Sequence, residues 1–374
     1  MNKQRIAFWC VLAPCAIMVF APASRALAHV HEETDSGVVV KRQGDEMMLS
    51  AYYYSFPPTG RRRDSLIRAK NNMELVPMDF EINHEWSTRA AGRKNGRDQV
   101  WYTDDSELLK GHPAATWVRS TWSLSTGWHI KETDIVIDEN ENWIHTSAYL
   151  THDVYGGDAD FVDKTIMHEL GHALGLDHED RYYNVMGDAK RYMTLWTCPG
   201  TDRVEALAGE DAGVGLVQQY GSASRYLKND LSVTHWKYAG SDGEYSEHEF
   251  VRVHPHVSSG AFYGEMLRYD VTRGETYEFE FTYENNGLDT QYNVEIEYVV
   301  STNDKISTHD IPLLTTSTWD IAPNHPFTLG IDLTIPTKLK VGQTYFIGVI
   351  VDCNDEIKEF KETNNTSFVP VEVH

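Results

Sequence analysis

Three histidines and one glutamate fall within a single short stretch, "HELGHALGLDH", from His168 to His178. His168 and His172 are four apart, so on a helix both imidazoles lie on one face, one turn from each other. Gly175 lets the chain leave the helix and turn back, and His178 then comes round from outside as a third nitrogen ligand. Three neutral imidazoles and one open position describe a catalytic zinc site, whereas a structural site would fill all four places. Glu169 sits beside His168, about 100° round the helix from it, near the metal but off its direct line. That is the place for a general base that takes a proton from zinc-bound water. The plain alternative is a surface helix that carries these residues by accident. A bare H-E-x-x-H arises by chance in about one chain in a hundred, and adding Gly175 and His178 lowers this to roughly one in 10⁵. The pairs His29/His31 and His254/His256 have no third partner nearby in sequence and read as surface residues.

The elements around the motif follow from periodicity. "DADFVDKTIMHELGHALG" reads as a helix, with Asp160 as N-cap, Asp163 three residues on, Val162, Ile166, Leu170 and Leu174 on the core side, and Gly175 as its stop. "LVPMDFEINHEW" alternates as a strand, and "TDIVIDENENW" gives another. "DDSELLKGHPAATWVRSTWSL" has a helical look, with Ala114, Val118 and Trp122 on one face. "DRVEALAGEDAGVGLVQQYG" reads as a last helix ending at Gly221. Residues 29–74, including "YYYSFPPTGRRRD", read either as a pro-segment with a basic cleavage site or as an N-terminal arm with a solvated charge cluster.

The motif resembles the metzincin zinc peptidases, whose signature H-E-x-x-H-x-x-G-x-x-H is matched by His168, Glu169, His172, Gly175 and His178. "NVMGD" supplies Met186 for the family's methionine turn beneath the metal, eight residues after His178, an interval similar to the matrixin branch. "DAGVGLVQQYG" resembles the matrixin helix ending through Asp211, Gly215, Tyr220 and Gly221. "TDIVID", Thr133 to Asp138, resembles the edge strand that binds substrate. Asp188 stands where astacins and serralysins carry a tyrosine ligand, and no cysteine lies between residue 29 and the motif to act as a cysteine switch. The resemblance implies an α+β domain over 75–221, with a twisted sheet, helices and an active-site helix carrying the motif. It also implies a zinc-dependent endopeptidase acting on protein or peptide substrates, with Glu169 as general base and His168, His172 and His178 as zinc ligands. Tyr182, Tyr183 and Tyr192 either line the pocket after the cut bond or simply pack. Two rival classes are an adhesion or matrix protein whose peptidase-like half is inactive, which the intact Glu169 opposes, and a zinc amidase acting on a non-protein amide.

The remainder of the chain sets the context. Lys3 and Arg5, an apolar run from Ile6 to Phe20 interrupted by Pro14, and Ala26 to Ala28 read as a secretory signal peptide over 1–28, so the mature protein is expected outside the cytoplasm with no membrane span. Removing this segment would take the formal net charge from −23 to −26, a surface that repels nucleic acid and offers carboxylates to cations such as calcium, although no Asp/Glu spacing spells a calcium loop. Cys198 and Cys353 would remain, either bridged or as two free thiols. After a linker at 222–229 the texture changes to short strands separated by turns, "YEFEFTYEN", "YNVEIEYVVS", "TYFIGVIVD" and "SFVPVEV", the mark of an antiparallel β-sandwich over 230–374. "DLSVTHWKYAG", "TYENNGLDT", "YVVSTNDKISTHD" and "VDCNDEIKEFKETNN" resemble the bacterial cell-adhesion-related domain, an immunoglobulin-like module, which implies a surface or matrix ligand for this half.

Overall fold

The structure is a computed structural model of the 374-residue chain. It describes residues 37–145, 160–178, 185–186, 210–223, 228–234, 236–242, 245–250, 253–255, 258–263, 266–318, 320–323 and 325–374. The chain is mostly β with few helices. The expected signal peptide, Cys198, Asp188, and Tyr182, Tyr183 and Tyr192 lie outside the described residues. Cys353 is a free, half-buried thiol. No helix among the described residues is long and apolar enough to cross a membrane.

The first half comprises β1 (Lys41–Arg42), β2 (Glu46–Tyr52), α1 (Arg61–Met73), β3 (Glu81–Ser87), β4 (Asp98–Thr103), α2 (Ser106–Leu109), β5 (Ala114–Ser123), β6 (Gly127–Asp138), β7 (Trp143–Ile144), β8 (Asp160–Phe161), α3 (Val162–Ala173) and α4 (Glu210–Tyr220). One sheet runs β1-β6-β4-β2-β3, with β5 added antiparallel to β6. The other pairings are parallel. Met47, Leu49 and Ala51 of β2 and Ile135 and Ile137 of β6 pack with Val162, Ile166, Leu170 and Leu174 in one apolar core. The expected apolar face of α3 is therefore buried against the sheet, and nearly every other residue of the helix is buried with it.

Three expectations are corrected here. Residues 41–73 are not a loose, solvated arm. β2 lies between β3 and β4, bonded to both, and α1 buries Leu66, Ala69 and Met73. Two of the three arginines are structural: the Arg62 guanidinium lies 3.8 Å from the centre of the Tyr102 ring and Arg63 lies 3.7 Å from that of Trp86. Cleavage at Arg61–Arg63 would open the first turn of α1 and release a central strand. The helical reading of 104–124 also fails. α2 ends after four residues, where Lys110 takes a left-handed φ of 57°. Pro113 follows, and Thr116, Val118 and Thr121 then favour a strand that β6 pairs along its length. Lastly, Thr133–Asp138 is not an edge. It is bonded to β4 on one side and β5 on the other, and among the described residues β5 is paired by β6 alone.

The second half comprises β9 (Leu231–Thr234), β10 (Trp236–Asp242), β11 (Tyr245–Phe250), β12 (Val253–His254), β13 (Ser258–Tyr263), β14 (Met266–Val271), β15 (Thr276–Asn285), β16 (Gln291–Tyr292), β17 (Glu295–Ser301), β18 (Ile311–Ser317), β19 (Asp320–Ile321), β20 (Phe327–Thr334), β21 (Thr344–Val351) and β22 (Thr366–Val373). Two sheets, β13-β14-β22-β21-β17-β18 and β12-β15-β20 with β9 on β15, share a second core. Alternation does this: Tyr277, Phe279, Phe281 and Tyr283 of β15 point inward, and the Tyr283 hydroxyl meets that of Tyr298, from the facing sheet, at 2.6 Å.

Glu284 is an exception to the alternation, because its outward face is buried too. It pairs with Ser232 across β9, is 3% exposed, and its Oε2 has no hydrogen-bond partner. Burial pushes its carboxyl up to about 8, only partly opposed by the Ser232 hydrogen bond. A carboxyl raised on folding contributes stability that is complete below its unfolded value of 4.5 and is lost as pH rises through about 8. Glu284→Gln is therefore expected to leave unfolding nearly unchanged at acid pH and to stabilise this half by a few kcal/mol above pH 8, read from urea titrations at both values.

Candidate metal centre

α3 delivers His168 and His172 to one face, and the chain then ends the helix by a defined turn. The Gly175 N–H donates to the His172 carbonyl at 2.9 Å and the Leu176 N–H to the Gly171 carbonyl at 2.9 Å, the paired bonds of a Schellman cap. Gly175 has φ +94°, and a Cβ there would lie 2.6 Å from both the Val40 carbonyl oxygen and Gln219 Nε2. Three residues later His178 is back at the helix. The Nε2 atoms of His168, His172 and His178 form a near-equilateral triangle, 3.1, 3.2 and 3.2 Å on its sides.

Tautomers make this triangle decisive. His168 Nδ1 lies 2.7 Å from the Val185 carbonyl and His172 Nδ1 lies 2.8 Å from the Leu176 carbonyl. A carbonyl only accepts, so both Nδ1 atoms carry the proton and both Nε2 atoms of the neutral rings present bare lone pairs. Two lone pairs at 3.1 Å repel unless a cation lies between them. Protonating a ring is opposed. Burial above all, then the neighbouring His168, push His172 down to about 3 against the pull of the Leu176 carbonyl. Burial followed by His172, His168 and His112 pushes His178 far below its ordinary value. The donor set fits zinc: tetrahedral Zn–N bonds of about 2.0–2.1 Å place their nitrogens about 3.3–3.4 Å apart. Among the described residues this is the one cluster of histidine, cysteine and acid groups whose ligand atoms converge. Glu169 is not a member of it.

Glu169 is 5% exposed and faces β5, where the Thr116 hydroxyl lies 2.6 Å from its Oε2 and 3.0 Å from its carbonyl oxygen. Burial raises its carboxyl, while His168, the Thr116 hydrogen bond and His112 lower it. Met186 is buried beneath α3 against Gly171, where a Cβ would sit 2.2 Å from its Sδ. This contact also sets Val185, whose carbonyl orients His168.

Thr116, the Val185 and Leu176 carbonyls and Arg42 were not anticipated from sequence. Arg42, 7% exposed, donates from Nε to the Ala173 carbonyl at the end of α3 (2.7 Å) and from both Nη atoms to Asp98 (2.8 and 2.9 Å). From α4, Gln219 Nε2 and the Tyr220 hydroxyl donate to the Leu174 carbonyl at 2.9 and 2.6 Å. The carbonyls that α3 leaves unpaired at its end are thus met by side chains from both ends of the domain. Only the period-two run "EMMLSAY" just after Arg42 could have signalled that this segment belongs to the sheet.

With the geometry in view, similarity to known proteins can be set beside it. Residues 265–368 match the CARDB family, a bacterial cell-adhesion-related, immunoglobulin-like domain. The CARDB domain therefore accounts for most of the second half, and the match lies wholly outside the histidine triad. Among solved structures, the chain is similar to the CARDB domain of a Pyrococcus furiosus protein in complex with di-metal ions, at 16% identity over 41% of this chain and 95% of that one, with a TM-score of 0.26. It is also similar to the same domain in solution, at 20% identity over 33% and 93%, TM-score 0.22. A third is the sporulation control protein Spo0M of Bacillus subtilis, at 13% identity over 28% and 45%, TM-score 0.20. No curated protein matches the chain.

Two substitutions test the support of the triad. Gly171→Ala drives a methyl into Met186 and is expected to weaken zinc binding at least tenfold, as loss of an outer-shell partner does, measured by competition with a chromogenic chelator. Arg42→Ala strips the nearly buried Asp98 of its cation and is expected to cost about 3–5 kcal/mol in urea unfolding, the usual penalty for breaking a buried pair.

Proposed function

We propose that this protein is a secreted, zinc-dependent endopeptidase whose catalytic half is followed by a CARDB domain. The observation that carries the reading is the triangle of three Nε2 atoms with a buried glutamate next to it in sequence and outside it in space. Bound zinc supplies Lewis acidity, bringing the pKa of a coordinated water toward 7 and polarising a carbonyl oxygen. His168, His172 and His178 would hold the ion through their Nε2 atoms. Glu169 accepts the proton of the attacking water and returns it to the leaving amine. Thr116 holds that carboxylate from β5 through its 2.6 Å hydrogen bond. Among the described residues β5 is paired by β6 alone, so its outer edge offers unmet N–H and C=O groups to an extended peptide chain. That edge, and not Thr133–Asp138, is where substrate adds. Export rests on the reading of residues 1–28 as a signal peptide, and the CARDB domain supplies a surface or matrix contact. Nothing in the described site calls for calcium.

The test is metal content and peptide turnover on tag-free protein. One zinc per chain is expected. Glu169→Gln, which keeps size but cannot accept the proton, is expected to retain zinc while turnover falls by about 10²–10⁴-fold or more. His172→Ala is expected to lose both. Less than about half an equivalent of zinc with no gain of activity on adding it, or a Glu169→Gln variant within a few-fold of the parent, refutes the reading.

A further inference from the structure

We infer that the β5–β6 hairpin is a substrate rail, which extends the cleft to polypeptide segments about six residues from the cut bond and favours uncharged and apolar ones. The inference rests on the peptidase reading and adds the substrate class. Register carries it. Thr116, which holds Glu169, shares its face of β5 with Val118, and alternation along β5 carries that face on to Ser120 and Trp122 past a pairing irregularity between Arg119 and Ser120, where β6 holds one extra residue, Lys131. The cross-strand partners continue that face through Ile130 opposite Ser120 and Trp128 opposite Trp122. Ile130 Cδ1 comes within 3.4 Å of the place of a Cβ on Gly175, so the face passes under the turn that returns His178 to the metal. Beyond it, the hairpin runs on past the end of α3. Six residues of strand at about 3.3 Å each set Trp122 roughly 20 Å from Thr116.

The far end presents apolar groups to solvent: Trp122 is 53% exposed and Leu124, at the tip, 93%. The tip is built to hold them. The Thr126 N–H donates to Ser123 Oγ at 3.1 Å, Thr126 Oγ1 lies 3.2 Å from His129 Nδ1, and Gly127 turns the chain with φ +68°. Charge points to the same occupant. The chain has 56 aspartates and glutamates, and residues 113–130 contain none. A peptide that adds to the outer edge of β5 therefore meets no carboxylate from residues 113–130, the one Lys or Arg in that stretch, Arg119, is paired with Glu132, and the strip ends in exposed tryptophan and leucine. Single large side chains at such contact surfaces are those whose truncation costs most.

The experiment measures kcat/KM of the zinc-loaded full chain on a peptide series lengthened from two to eight residues on each side of the cut bond, with apolar or acidic residues at the far positions. The expected result is a rise of about tenfold once one side reaches six residues, smaller for acidic ends, and reduced to a few-fold or less by Trp122→Ala and by Leu124→Ser. Both positions are exposed, so the variants are expected to fold, with far-ultraviolet circular dichroism as the check. The binding of the longest peptide to Glu169→Gln, by calorimetry, is expected to weaken in parallel when Trp122→Ala is added. No gain with length, or a gain that both variants keep, overturns the rail while leaving the peptidase intact. No cleavage of any peptide overturns the peptidase reading and the rail with it.

Discussion

The Nε2 lone pairs of His168 and His172 are turned toward each other and repel, and the first half of the chain is organised around holding them there beside His178. Two such lone pairs 3.1 Å apart repel unless a cation lies beside them, and His178 Nε2 lies 3.2 Å from both. The protein fixes the arrangement from behind. The carbonyls of Val185 and Leu176 take the Nδ1 protons of His168 and His172, so neither ring can present an N–H to the centre. The site is thus specified as much by which nitrogen is protonated as by which residues are histidine.

That arrangement depends on the end of one helix. Gly175 is pressed between the Val40 carbonyl and Gln219, and the two preceding residues, Ala173 and Leu174, expose carbonyls that the helix itself does not satisfy. Arg42 meets one of them with a positive charge, which suits the negative end of the helix dipole, and is itself pinned by Asp98. Tyr220 and Gln219 meet another. Segments from the start, middle and end of the domain therefore converge on the turn that returns His178, and displacing any of them displaces a ligand. Gly171 serves the same purpose beneath the helix, where only the missing Cβ lets Met186 come close enough to set Val185.

The second half follows a different plan. Its core is filled by alternating aromatic and β-branched residues of two sheets, and its buried polar groups include three carboxyls: Asp230 is raised to about 7, and Glu284 and Glu359 to about 8, each chiefly by burial. These groups weaken the fold as they ionise. The sandwich is thus poised to lose stability on the alkaline side, a property independent of the metal centre.

The sequence by itself marked the three histidines that the fold brings together. The spacing of His168, His172, Gly175 and His178 is local chemistry on one helix and its cap, and local geometry is what a short motif encodes. It also marked the apolar stripe of α3 and the strand texture after residue 230, because both are periodicities of the chain itself. Tertiary structure decided the rest. The stretch from Ala114 to Ser123 has a pattern compatible with a helix and becomes a strand because β6 pairs with it along its length. Thr133–Asp138 looks like an edge until β4 and β5 occupy both its sides. Arg42 lies 131 residues from the carbonyl it caps, and Thr116 lies 53 from the glutamate it holds. No spacing rule reaches across such separations, since the contacts exist only once the sheet has brought distant segments side by side.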